Sequence, residues 1–258
     1  MRAIWTGAIG FGLVNIPVKI FSATQASELD LDMLDKKDYS PIRFHRVNET
    51  SGKEVAWENI VRGYKYHDKY IVLTDKDIQA ASAEKSKVIE ITEFVDEKEI
   101  DPIYYEKPYY LEPDKSGTRA YALLREALKK SGRVGVSTFV MRNKESIAVL
   151  KPEKDVIILY RIRFAEEIRS YEELHLPKSS EAKPGELKMA MTLIDQLTGE
   201  FDISSYHDTH TEQLMKIIKA KSKGVKIKEP KMKVAYSKSK DLMEQLKASL
   251  SKGKRKVS

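Results

Sequence analysis

The sequence has no cysteine. Disulfides, thiolate zinc sites, iron–sulfur clusters and cysteine nucleophiles are excluded in one step, and a reducing compartment is expected. It also lacks any uninterrupted apolar run near the roughly 20 residues that a membrane-spanning helix needs. Residues 3–18, behind Arg2, are moderately apolar. Thr6, Gly7, Gly10, Gly12, Asn15 and Pro17 break them up and no small-x-small cleavage site follows, which argues against a secretory signal. A cytoplasmic protein with no membrane partner is expected.

Catalytic constellations are lacking too. The nearest approach to a phosphate loop, Gly7-Ala8-Ile9-Gly10-Phe11-Gly12, has no Gly-Lys-Ser/Thr ending and no helix opening behind it. Its glycines are better read as permitting a bulge or close strand packing. His207 and His210 form the only histidine cluster, with no third metal ligand close in sequence, and Asp208 or Thr209 as a helix N-cap explains the same residues. His45, His67 and His175 are isolated, and the pairs Glu166-Glu167 and Glu172-Glu173 look like solvated charge. We assign no catalytic residue, no metal and no cofactor, and expect no enzyme.

What is present is charge, unevenly placed. Of the 258 residues, 41% are hydrophobic and 33% charged, which suits a folded chain of one large or two modest domains. Residues 219–258 carry 14 Lys or Arg against 3 acidic residues, a net +11, whereas the other 218 residues sum to −4. A mildly acidic body with a basic tail points to a polyanionic partner, either nucleic acid or an anionic membrane surface, with a solubilising tail as the plain alternative.

Local pattern favours a β-rich core. Residues 4–21 read as two short strands or one bent pair, with Pro17 at an edge; residues 42–47, 64–73, 88–95, 134–141, 146–150 and 156–164 read as further strands. Strands at hairpin spacing favour a barrel over a parallel sheet. Ala120, Leu123, Leu124, Ala127 and Leu128 recur at the helical period, with Ser116 and Thr118 as cap candidates and Gly132 as the stop. Beyond Pro184 the pattern turns helical, through Leu187, Ala190, Met191, Ile194 and Leu197, then Leu214, Ile217 and Ile218, ending at Gly224. A short amphipathic segment in the tail, Leu242, Met243, Leu246 and Leu250, is too short to hold alone and needs a partner surface.

Residues 41–70 interleave Arg43, Arg46, Lys53, Arg62, Lys65 and Lys69 with Phe44, Trp57, Tyr64, Tyr66 and Tyr70, a pattern suited to touching phosphate backbone and equally found on solvated hairpins. Arg43 and Arg46 have opposite strand parity, so a regular strand cannot aim both at one ligand.

Several motifs, taken together, resemble the bacterial Ku proteins: Trp5-Thr6-Gly7, the run from Phe11 to Val18, Gly63-Tyr64, Ile100-Asp101-Pro102, the run from Tyr109 to Asp114, the run from Glu186 to Ala190, Leu193-Ile194-Asp195, and Tyr206-His207-Asp208-Thr209. The resemblance runs in unbroken order to about residue 224. It implies a mainly β fold with α: a Ku-type β-barrel core at 1–176 with an inserted ribbon at about 40–75, and a helical dimerisation arm at 177–224. A basic tail at 225–258 would hold a ligase-binding segment at 241–250. It further implies a ring-shaped homodimer that threads onto double-stranded DNA ends without sequence preference, next to the nucleoid. Its task would be to recruit the ATP-dependent ligase D in non-homologous end joining. The implied DNA contacts are Arg43, Arg46, Lys53, Arg62 and Lys65, with Lys252, Lys254, Arg255 and Lys256 of the tail. The implied ligase contacts are Leu242, Met243, Leu246 and Leu250. The rival expectations are a general DNA-compacting protein and a nuclease. One departure stands out: where many relatives have a Cys-x-x-Cys pair in the ribbon, this chain has Asn48 and Ser51.

Overall fold

The computed structural model of the chain describes residues 1–81, 87–141, 144–177, 183–225 and 242–251. The chain divides into two units, residues 1–26 with 31–170, and residues 27–30 with 171–258.

The first unit is built on a closed seven-stranded barrel. Its strands are β1 (Trp5–Phe11), β2 (Val14–Ser22), β5 (Val88–Asp96), β6 (Tyr105–Pro113), β7 (Arg133–Met141), β8 (Lys144–Glu153) and β9 (Val156–Ile162), and their order round the barrel is β1-β2-β6-β9-β8-β7-β5. Every pairing is antiparallel except β1 with β5, which closes the barrel in parallel at Ala8↔Val88, Ile9↔Ile89 and Gly10↔Glu90. Alternate residues of each strand face the interior. Ile9, Ile16, Val18, Ile20, Ile89, Leu111, Leu150, Ile157 and Leu159 are fully or almost fully buried there, and Tyr121, Leu124 and Leu128 of helix α2 (Thr118–Ser131) join the same core.

The β1 glycines serve close packing. A Cβ on Gly7 would lie 2.2 Å from Lys87 O, and one on Gly10 would lie 2.1 Å from a Glu90 carboxylate oxygen. Gly12, at φ +58°, turns the β1–β2 hairpin. Gly132 stops α2 in the left-handed region, as the sequence suggests, but the N-terminus differs from expectation. Neither Ser116 nor Thr118 caps it. The helix grows out of a 3-10 turn at Lys115–Gly117, and the N-cap is Gly117.

Proline explains two other departures. Pro17 lies in β2 between two neighbours, not at an edge, because the barrel is closed. It is tolerated because it pairs only with β1; the ladder to β6 begins one residue later, at Val18↔Pro113. The sequence pattern also misses β6, since Pro108 and Pro113 interrupt it. Pro113 is its last residue, and Pro108 lies just past the end of the β2 ladder at Ser22↔Tyr109.

Between β2 and β5 the chain makes a long excursion holding β3 (Arg62–Tyr66), β4 (Lys69–Leu73) and α1 (Asp75–Ala81). Residues 42–47 do not form the expected strand: only isolated bridges occur, Leu34↔Pro41 and Val47↔Glu54. From residue 30 to 81 every side chain is exposed except Val55 and Ile78.

The regular elements among the described residues of the second unit are helices, α3 (Pro184–Leu197), α4 (Thr209–Ser222) and α5 (Leu242–Ser251), with a 3-10 turn at Ile203–Ser205. Asp208 caps α4, accepting from the His210 and Thr211 amides at 3.0 and 3.1 Å. The histidine cluster is therefore a helix start, as the capping alternative holds. Gly224 follows α4 at φ +74°.

Candidate nucleic-acid interface

The excursion is shaped by its turns. Asn48 Oδ1 accepts from the Thr50 and Ser51 amides at 3.0 and 2.9 Å, Gly52 turns at φ +66°, and the Asn48 amide donates to Lys53 O. Asn48 and Ser51 are thus joined directly by a hydrogen bond. Among the described residues no cluster of three or more His, Asp or Glu could hold a metal ion.

The turn presents cations beside aromatics. The Arg46 guanidinium lies 4.6 Å above the Trp57 ring, a stacking that leaves its edge open to an anion. His45 Nδ1 is 2.6 Å from Glu54 Oε1. Arg43 sits between the two bridges, exposed, and Lys53 ends the Asn48 turn.

The β3–β4 hairpin separates two of the candidate contacts. Its register pairs Arg62 with Leu73, Tyr64 with Ile71 and Tyr66 with Lys69, and Gly63 with Val72 and Lys65 with Tyr70. Cross-strand partners share a face and successive residues alternate, so Arg62 and Lys69 lie on one face and Lys65 and Tyr70 on the other. The two faces cannot serve one stretch of duplex equally.

A further cationic site comes from the barrel and is absent from the sequence-based set. At the barrel end where β2 finishes and β5 starts, Ile4, Ser22, Lys107, Tyr109, Met141, Lys144 and Arg161 line a cleft of about 450 Å³. Lys107 pairs directly with Arg161 across the β6–β9 ladder. Both continue the inward-facing rows, Leu111, Tyr109, Lys107 on one strand and Ile157, Leu159, Arg161 on the other, so cations take over where the apolar core ends.

Acidic groups balance this mouth only in part. Arg161 Nη2 donates to Glu106 Oε1 at 2.6 Å, an approach allowed by the register shift between Tyr105 and Lys107, while Arg161 Nε is buried without a hydrogen-bond partner. Lys144 Nζ is 3.5 Å from Glu167 Oε1, and Glu167 is held below the ordinary carboxylate value first by the Phe164 amide. Lys107 Nζ lies 5.7 Å over the Tyr109 ring. The signal that reveals this site in sequence is a cation at core parity, Lys-x-Tyr-x-Leu and Ile-x-Leu-x-Arg.

The remaining candidates fall elsewhere. Lys252, Lys254, Arg255 and Lys256 lie outside the described residues, as does Asp241. Met243, Leu246 and Leu250 are half-buried on α5, and Leu242 is 52% exposed.

Comparison with known proteins bears on the barrel and the family. The family model described as the Ku70/Ku80 β-barrel domain matches residues 10–189. Similar proteins include the non-homologous end joining protein Ku of Cupriavidus necator, 40% identical over 226 residues that cover 85% of this chain and 67% of the relative. The protein of that name from Bacillus subtilis is 38% identical over 224 residues, 86% and 72% of the two chains. That of Anaeromyxobacter is 37% identical over 257 residues, 99% and 87%.

Proposed function

The chain belongs to the Ku family, and from that premise we propose that it serves DNA repair by non-homologous end joining as a homodimeric ring on double-stranded DNA ends. The observation that carries this reading is the excursion between β2 and β5, whose residues 30–81 have almost nothing buried and set cations beside aromatic rings. A segment with no core of its own needs a surface to lie on, and its chemistry fits phosphate backbone. Arg43, Arg46, Lys53 and whichever of Arg62 and Lys65 lies on the hairpin face toward the duplex are its proposed contacts, joined by Lys107, Lys144 and Arg161 at the barrel mouth, with the tail cations Lys252, Lys254, Arg255 and Lys256 adding a diffuse attraction. Broken ends have any sequence, so these contacts work without base readout.

Leu187, Met191, Ile194, Leu197, Phe201 and Ile203 of the second unit are each more than half exposed, an apolar load that a second copy would cover. The protein acts in the cytoplasm at the nucleoid, binds rather than catalyses, and recruits the ATP-dependent ligase D through Leu242, Met243, Leu246 and Leu250.

The net +11 of residues 219–258 favours one alternative, a compacting protein that coats duplex along its length. Competition decides between them. A ring loads over ends, so linear duplex should displace labelled DNA and covalently closed relaxed circles of the same sequence should not. Equal competition by mass would establish the coating protein.

A further inference from the structure

A ten-residue helix is marginal in water, and α5 does not stand alone: it packs on α3. The half-buried residues of α3 in this contact, Glu186, Met189, Ala190 and Leu193, follow the spacing i, i+3, i+4, i+7 of a single helix face. Leu187, Met191 and Ile194 leave the other face open. On α5 the half-buried apolar residues are Met243, Leu246 and Leu250, spaced i, i+3, i+7. The two helices meet at one end, where a Cβ on Gly185 would touch Met243 Cε at 3.7 Å, an ordinary van der Waals contact.

We propose that the α3 face from Gly185 to Leu193 is a helix-binding surface whose resting occupant is the chain's own α5, and that the ligase competes with it for α5. The proposal rests on the ligase reading of the tail given above. Met243, Leu246 and Leu250 are three of the four residues assigned to that partner, and one apolar stripe cannot fill two grooves at once. Leu242 stays exposed beside the seam and gives an incoming partner a foothold before the helix lifts. Apparent affinity falls by the fraction of chains in the competent state, so a latch closed about ten times out of eleven weakens ligase binding roughly tenfold.

The test uses the full chain. Gly185→Glu puts a carboxylate into the Met243 seat and keeps α3 sound, because acidic residues are favourable in the first turn of a helix. Amide hydrogen exchange over residues 242–251 should be slow in the parent chain relative to a free peptide of the same residues, and fast in the variant. Ligase D should bind the variant up to roughly tenfold more tightly, with DNA binding and dimerisation unchanged. Because the chain has no cysteine, the pair G185C and M243C can be bridged by a short bifunctional maleimide. The bridged protein should bind the ligase more weakly than the same pair capped singly, a control that carries the same loss of Met243 and so isolates the effect of the tether. Exchange in the parent as fast as in the peptide overturns the latch. If the peptide binds the ligase and the variant releases α5 without a gain in affinity, the competition is overturned while the ligase reading survives. If the peptide does not bind the ligase, both fall, and the peptide arm identifies the ligase reading as the cause.

Discussion

A tyrosine hydroxyl completes one β-ladder of this protein. Tyr121 Oη donates to Leu111 O at 2.8 Å and accepts from the Ile157 amide at 2.7 Å, spanning the last register pair between β6 and β9. Tyr121→Phe strands both buried groups and should cost roughly 2 to 4 kcal/mol in urea unfolding. Burial also pushes the Tyr121 hydroxyl above its ordinary value of 10.0. The unfolded chain can then ionise this group where the folded one cannot. Stability is undiminished below about pH 10 and falls as pH rises from there toward the folded value, and the phenylalanine variant should lack this part of the alkaline slope. At Asn48 the carboxamide closes the turn without help, so a chelator should leave the thermal midpoint unchanged, and elemental analysis should find no zinc. About one tightly held zinc per chain would refute this.

Among elements, the hairpin of β3 and β4 makes the sharpest prediction. Lys65→Glu and Arg62→Glu sit on opposite faces, so only one should weaken duplex binding strongly and lower the salt slope by roughly one. Equal losses would mean that the hairpin does not lie flat on DNA. At α4, Asp208 is held below its ordinary value first by the Thr211 hydroxyl. Its support for the helix is present above the ordinary carboxylate value and is lost as pH falls through the lower, folded one. Asp208→Ala should fray the first turn, seen as reduced helical circular dichroism, with no change in metal content. Much of this level is legible in sequence. Alternation marks β7 to β9, and Gly132 and Gly224 mark helix ends, because local sterics decide those features. What is not legible depends on neighbours distant in the chain. The prolines of β6 look forbidden until the β2 ladder is seen to end beside Pro108 and the strand itself to end at Pro113, and residues 42–47 have strand composition but few partners. Lys107, Lys144 and Arg161 lie on three strands, so no local window shows them as one site.

For the whole molecule, assembly and encirclement separate cleanly. Leu187→Asp with Ile194→Asp should yield monomers by sedimentation equilibrium, with the barrel still folding cooperatively, since those side chains take no part in its core. Circularising a loaded linear molecule should trap the protein through a high-salt wash that strips free-ended controls; equal loss from both would leave an open clamp in place of a ring. The topology carries one more consequence. The excursion leaves at the end of β2 and returns at the start of β5, with β1 alone between them; Ser22 lies two residues beyond the Trp5↔Ile20 pair and Val88 faces Ala8, so its two feet stand roughly 20 Å apart on a fixed base. Closing a flexible loop on such a base costs about 0.6 kcal/mol for each doubling of its length. The barrel is therefore nearly indifferent to what is spliced in there. The span can lengthen, shorten or change its turn chemistry while the scaffold beneath stays under separate selection.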